Sequence, residues 1–184
     1  SNSCALGLPA GAGIPPQSAG RIIGVAKAYT TRVGEGPFPT EGDATLDEAL
    51  RKAGDEFGAT TGRPRRCGWL DGVALRYVSE LNGLSAIALT KLDVLTGMNP
   101  IKVCTAYKIG GETHGDFPAD TALLDGVEPL FESLPGWDDD LRKCRTFEEF
   151  PAAAREYVAF VEKIAGARAS IISVGPGREE TIVR

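Results

Sequence analysis

Residues 54–71 bring together side chains that could hold an anion: Gly54-Asp55-Glu56-Phe57-Gly58-Ala59-Thr60-Thr61-Gly62-Arg63-Pro64-Arg65-Arg66-Cys67-Gly68-Trp69-Leu70-Asp71. Glycines at 58, 62 and 68 let the backbone turn and approach a ligand closely. Arg63, Arg65 and Arg66 offer planar forks matched to carboxylate or phosphate. Thr60 and Thr61 can donate to the same anion through hydroxyl and backbone N–H. The arginines also stand just before a helix start, where backbone N–H groups favour negative charge. Two readings stay open at this point: a loop that clamps a small anionic ligand, and a solvated basic loop.

A second constellation is Thr90-Lys91-Leu92-Asp93, at the exit of the apolar run 84–90. In open α/β sheets ligands bind beyond the carboxyl ends of strands. An aspartate there can accept two parallel hydrogen bonds from the ring N–H and exocyclic amine of guanine, and adenine offers no such donor pair. A lysine two residues earlier can lay its methylenes over a base while its charge stays solvated. Taken alone, the three residues suit a surface salt bridge equally well. Ser173-Val174-Gly175 occupies the same kind of place, at the carboxyl end of the apolar run 169–174. Other chemistry is sparse. The one histidine, His114, lies in the glycine-rich turn 110–116, and no G-x-S-x-G elbow accompanies it. Asp138, Asp139 and Asp140 are consecutive, which places them on a solvated loop rather than around one metal ion.

The elements that must position these groups alternate between helix and strand, which implies an α/β layer arrangement. Residues 18–27 have a short helical spacing at Ile22, Val25 and Ala26, leading into a strand over 28–33. A modest helix follows over 45–57, with Thr45 or Asp47 as cap and Gly54 as stop. Asp71 caps a clearer helix whose apolar stripe is Leu70, Ala74, Tyr77, Val78 and Leu81, closed by Asn82-Gly83. Residues 84–90 form a buried parallel strand. Residues 101–109 and 114–117 form strands about the Gly110-Gly111 turn, and 126–134 another, with Trp137 as an aromatic anchor. Thr146-x-x-Glu149 is a capping box before Pro151 and the stripe Phe150, Ala154, Tyr157, Val158, Val161 and Ile164 or Ala165, ended by Gly166. Strands over 169–174 and 181–183 finish the chain. The fold class is α/β: a mainly parallel sheet flanked by helices, with a small antiparallel hairpin region near 104–117.

At 184 residues the chain can bury one real core. A net charge of -5 argues against bulk nucleic-acid binding, which favours an excess of Lys and Arg. No apolar run reaches membrane-spanning length, and no charged-then-apolar leader is present. Cys4, Cys67, Cys104 and Cys144 are widely spaced, as reduced thiols of a cytoplasmic protein would be.

The basic loop, from Gly58 to Arg66 with Gly68-Trp69-Leu70-Asp71, resembles the aspartate-binding loop of adenylosuccinate synthetases. Further matches fall in that family's order: Lys27-Ala28-Tyr29-Thr30-Thr31-Arg32-Val33-Gly34 with Gly36-Pro37-Phe38-Pro39-Thr40-Glu41, then 89–95, Leu134-Pro135-Gly136-Trp137 and 173–178. The resemblance covers nearly the whole chain and corresponds to the C-terminal portion of such an enzyme, so residues 1–184 are expected to form that portion as a single α/β unit with a P-loop-NTPase-like family fold. Together with the missing start Met, this suggests a fragment. What the resemblance implies is a ligase of purine (AMP) biosynthesis. It would use GTP to phosphorylate the 6-oxygen of IMP, and the amine of L-aspartate would then displace the phosphate. Ala59, Thr60, Thr61, Gly62, Arg63, Pro64 and Arg65 would hold aspartate. The backbone at Val33, with Arg63, would touch IMP. Arg65, Lys91, Leu92, Asp93, Ser173, Val174 and Gly175 would serve GTP, with Lys91, Asp93 and Ser173 to Gly175 as the guanine pocket.

The family's phosphate loop, general base, general acid and Mg2+ ligands belong to the other half, and nothing in these residues replaces them. No catalytic residue and no metal ligand is therefore expected here, and the chain alone should not turn over. Full-length members imply a cytoplasmic homodimer without membrane or nucleic-acid partners. Two other functions remain: a stand-alone guanine-nucleotide or dicarboxylate binding module, and a structural or nucleic-acid partner using Arg63, Arg65 and Arg66.

Overall fold

The run Ala86–Thr90 is one of the two inner strands of the main sheet in a computed structural model that describes residues 4–184. In chain order the elements are α1 (Gly7–Ala12), β1 (Ile23–Lys27), β2 (Thr30–Arg32), α2 (Ala44–Gly54), β3 (Arg66–Gly68), β4 (Leu70–Asp71) and α3 (Gly72–Asn82). They continue with β5 (Ala86–Thr90), β6 (Ile101–Ile109), β7 (Glu112–His114), β8 (Glu128–Leu134), α4 (Ala152–Ala165), β9 (Arg168–Ser173) and β10 (Thr181–Val183). Short 3-10 turns fill several connections, including Leu92–Leu95 and Leu141–Lys143. The main sheet runs β1-β5-β9-β10, parallel except for β10. Both faces of β5 are covered, so its residues 86–89 are buried and uniformly apolar, as such a parallel strand requires. A second sheet joins β6 to β4 in parallel and to β7 and β8 antiparallel, which is the expected hairpin region. β2 and β3 form a separate antiparallel ribbon.

Helix α4 realises its stripe fully. Ala154, Tyr157, Val158, Val161, Ile164 and Ala165 are buried, and Gly166 closes the helix in the left-handed region. The capping box forms one turn early, on the 3-10 turn Phe147–Glu149, while Pro151 sits at the cap of α4 itself. Trp137 is buried, packs edge-on against Tyr157, and donates Nε1–H to Thr96 Oγ1 at 3.2 Å. The Tyr157 hydroxyl reaches across the core to the Ala28 carbonyl at 2.5 Å. Tyr157→Phe leaves that carbonyl without its buried donor, and about 1–2 kcal/mol of stability should be lost. A urea midpoint equal to the parent's would contradict this.

Four expectations need correction. Residues 23–27 are a strand, not the end of a helix. Register pairing from Ile23↔Ala86 to Lys27↔Thr90 outweighs the local i, i+3, i+4 spacing, and β-branched Ile23 and Val25 suit it. The cap of α2 is Asp43, which accepts from the N–H groups of Thr45 and Leu46, rather than Thr45 or Asp47. α3 begins at the Asp71 cap as expected, yet it buries Val73, Leu75 and Ser79 and leaves Tyr77, Val78 and Leu81 more than 40% exposed. Its first residue packs tightly, since a Cβ on Gly72 would stand 2.5 Å from the Cys104 carbonyl oxygen and 3.1 Å from the Ile164 side chain. Tyr77 instead stacks on Phe117, ring centres 5.0 Å apart. Finally, the second hairpin strand is Glu112–His114, and residues 115–117 lie outside it. Gly7–Ala12, in the Gly/Pro-rich first stretch, is a short helix with no buried residue.

Candidate functional site

The anion loop grows directly out of α2. Asp55 turns the chain through a left-handed conformation (φ 48°), after which Glu56 points inward and is fully buried. The loop then closes on itself. Gly58 N–H donates to Arg63 O and Gly62 N–H to Gly58 O, each at 2.8 Å, and Arg65 N–H donates to Glu56 O at 2.9 Å. A bridge pairs Phe57 with Pro64 below this tip. Ala59, Thr60, Thr61, Gly62, Arg63 and Pro64 are all exposed on it. Val33 follows β2 at the end of the ribbon that Arg65 enters, and it is 70% exposed.

The three arginines, alike in sequence, have separate tasks. The guanidinium of Arg63 finds no hydrogen-bond or ion-pair partner among the described residues, so it is available to a ligand. Arg65 gives one N–H to Glu56 Oε2 at 2.5 Å. Arg66 is committed internally: it forks onto both oxygens of Glu41 at 2.6 Å and donates to the carbonyls of Gly34 and Gly36. Those bonds hold the Glu41 carboxyl below its usual range. The chain segment they secure lies so close that a Cβ on Gly68 would stand 1.9 Å from the Thr40 carbonyl oxygen. Arg66→Ala should therefore free residues 34–41 for limited proteolysis while leaving the loop tip unchanged. A digestion pattern identical to the parent's would contradict that assignment.

The second constellation opens a cleft of about 600 Å³. Gly54, Thr90, Lys91, Asp93, Arg142, Ser173, Gly175 and Pro176 are among its walls. β5 and β9 are parallel neighbours, paired through Leu89↔Ile172, so Lys91 and Ser173 leave the sheet at the same edge. Lys91 takes a left-handed conformation (φ 59°), the turn that sends residues 92–95 into a 3-10 helix and aims Asp93 at the cleft. Burial pushes the Asp93 carboxyl above its ordinary value, with Arg142 and Lys91 acting against that. No side chain among the described residues hydrogen-bonds to it. Leu92 and Val174 are fully buried, so they can offer a ligand only backbone. Ser173 Oγ donates to Gly175 O at 2.8 Å. A Cβ on Gly175 would approach the Glu180 carboxylate to 2.5 Å, and that carboxylate is already held by Gly177 N–H at 2.6 Å.

Sequence reasoning passed over Glu56, Lys27, Tyr29 and Arg142. Glu56 sits among the three cations Lys27, Arg65 and Lys91. Burial alone would raise its carboxyl, yet the bonds from Lys27, Tyr29 and Arg65 prevail and pull it down to about 2. The only available signal was one acidic residue flanking a basic loop. Arg142 enters from the Asp138–Asp140 run, where Asp140 caps a 3-10 turn and pairs with it at 2.9 Å. His114 is exposed on its hairpin. Cys67 and Cys104 are buried thiols pushed up to about 11 and about 12, chiefly by burial. Among the described residues no group of three His, Cys, Asp or Glu side chains could hold a metal ion, and no helix is long and apolar enough to cross a membrane.

Comparison with known proteins gives a consistent result. The family model described as adenylosuccinate synthetase matches residues 1–182. An adenylosuccinate synthetase of Bifidobacterium longum subsp. infantis is 52% identical over 99% of this chain and 42% of the relative. One of Moorella thermoacetica is 53% identical over 94% of this chain and 40% of the relative. The structure of a fully ligated adenylosuccinate synthetase from Plasmodium falciparum superposes with a TM-score of 0.95 at 40% identity, covering all of this chain and 44% of that one. The chain thus spans about 42% of the length of the curated relatives it matches.

Proposed function

Since the chain belongs to the adenylosuccinate synthetase family, we propose that it is the C-terminal portion of a GTP-dependent ligase joining IMP and L-aspartate to form adenylosuccinate. The observation that carries this reading is the cleft in which Lys91, Asp93, Ser173 and Gly175 meet at the carboxyl edge of two parallel strands. Its half-buried Asp93 carboxylate, which no side chain among the described residues hydrogen-bonds, is a ready acceptor for the paired donors of guanine. Lys91 lays its stem along the base, and Ser173-Val174-Gly175 closes over it. The exposed tip from Ala59 to Arg65 holds L-aspartate, with Arg63 reaching IMP as well, the backbone at Val33 touching the IMP ribose, and Arg65 reaching GTP. Fixed arginine charge in such a site stabilises negative charge as a phosphoryl group moves.

Mg2+ does not fit the residues of this chain, because no cluster of ligands converges among those described and Asp140 is already paired with Arg142. The homodimer, the cytoplasmic setting and the absence of membrane or nucleic-acid partners belong to the same proposal. The test is product formation by protein of the relatives' full length that carries this chain, supplied with IMP, L-aspartate and either GTP or ATP. Adenylosuccinate with GTP alone is the expected result. No product, or equal use of ATP, would overturn the reading, as would turnover by the isolated 184-residue chain for the assignment of catalysis to the remainder.

A second reading, a binding module without turnover, draws on the residues that this chain supplies to the base cleft, among them Lys91, Asp93, Ser173 and Gly175. A thermal shift of the isolated chain with GTP, absent with ATP, is what that reading requires.

A further inference from the structure

The anion loop and the base cleft share one buried group. Glu56 is fully buried, and four side chains from three separate stretches converge on its carboxylate. Lys27 Nζ, at the end of β1, lies 2.7 Å from Oε1, and the Tyr29 hydroxyl donates to the same oxygen at 2.6 Å. Arg65, at the root of the anion loop, holds Oε2 at 2.5 Å. Lys91, in the wall of the base cleft, stands 3.4 Å from Oε1 and also donates to the Gly54 carbonyl.

We propose that Glu56 is a positioning residue that couples the two subsites, so that an anion held by Arg65 draws Lys91 inward and tightens the base cleft. This rests on the reading of those subsites given above. The physical steps are short. Arg65 carries five N–H donors and spends one on Glu56, so its other donors can take a ligand carboxylate or phosphate. A ligand that shares the guanidinium charge weakens its hold on Oε2 and leaves more negative charge for the other partners. Lys27 and Tyr29 are already at hydrogen-bond distance. Lys91 alone has room to close, from 3.4 Å. Its stem lines the cleft, so its movement is felt by a base lying there. The coupling is reciprocal by thermodynamic necessity.

The test uses protein of the relatives' full length carrying this chain, with GDP and L-aspartate as probes. In the parent, saturating L-aspartate should tighten GDP binding by about fivefold, the lower end of typical couplings. In Glu56→Gln, which keeps the shape and removes the charge, the ratio should fall to one while both ligands still bind. If Glu56→Gln does not fold, Glu56→Asp retains the charge but withdraws the carboxylate by one methylene, and the ratio should again fall to one. A purely structural Glu56 would weaken both ligands and leave the ratio unchanged. Independent binding in the parent, or a ratio that survives both substitutions, overturns the coupling and leaves the functional reading standing. Failure of the parent to bind either probe overturns the reading, and the coupling with it.

Discussion

Asp93→Asn is expected to weaken GDP and GTP binding by about a hundredfold, the loss anticipated when donors are left facing an amide that can satisfy only one of them. The asparagine NH2 would also confront the exocyclic amine of guanine, donor against donor. Xanthine carries a carbonyl at that position, so a xanthosine nucleotide should recover much of the lost affinity in the variant. The parent should prefer guanine to adenine throughout. Acid should act on the same group. Burial raises the Asp93 carboxyl, so it takes up a proton at a higher pH than an exposed aspartate would. Protonation removes an acceptor, and base affinity should fall as pH falls through that raised value. Calorimetric titration of both proteins with guanosine, xanthosine and adenosine diphosphates measures all of this. Unchanged preference in Asp93→Asn would remove Asp93 from the base site.

Glu56→Ala should be the most damaging single change to stability. It leaves Lys27, Arg65 and Lys91 gathered around a site with no counter-charge, and breaking a buried pair from one side costs about 3–5 kcal/mol. The same group sets part of the acid limb of stability. Its carboxyl moves from an ordinary 4.5 to about 2 on folding. A depressed carboxyl contributes stability above its unfolded value, and that stability is lost as pH falls from 4.5 through 2. At roughly 1.4 kcal/mol per unit, the contribution is about 3 kcal/mol. Denaturant midpoints across this range should fall steeply in the parent and more gently in Glu56→Gln. Parallel curves would mean the carboxylate is not held as described.

How far the sequence could be read depends on whether the deciding interaction is local. α4 was legible because its stripe, the Thr146–Glu149 box and Gly166 all lie within one stretch. β5 and β9 were legible as short apolar runs bounded by turn residues, and the carboxyl-edge rule then brought Lys91, Asp93 and Ser173–Gly175 to one place. β1 was not legible. Ile22, Val25 and Ala26 fit helical spacing, and only the distant partner 86–90 makes them a strand. α3 shows the same limit: its apolar residues lie on more than one face, and contact with β6 and α4 selects Val73, Leu75 and Ser79. Within the site, Arg63, Arg65 and Arg66 look interchangeable until Glu56 and Glu41 divide them. The Glu56 cluster joins positions 27, 29, 65 and 91, a set that no spacing rule connects.

A crystal structure of protein of the relatives' full length, carrying this chain and grown with GDP, IMP and L-aspartate, tests the central claim most directly. The account predicts the guanine base between the Lys91 stem and Ser173–Gly175, with N1–H and the exocyclic amine on Asp93. It also predicts the aspartate carboxylates on the loop from Ala59 to Arg65. A base bound outside that cleft, or an aspartate ligand away from the 58–65 loop, would contradict it.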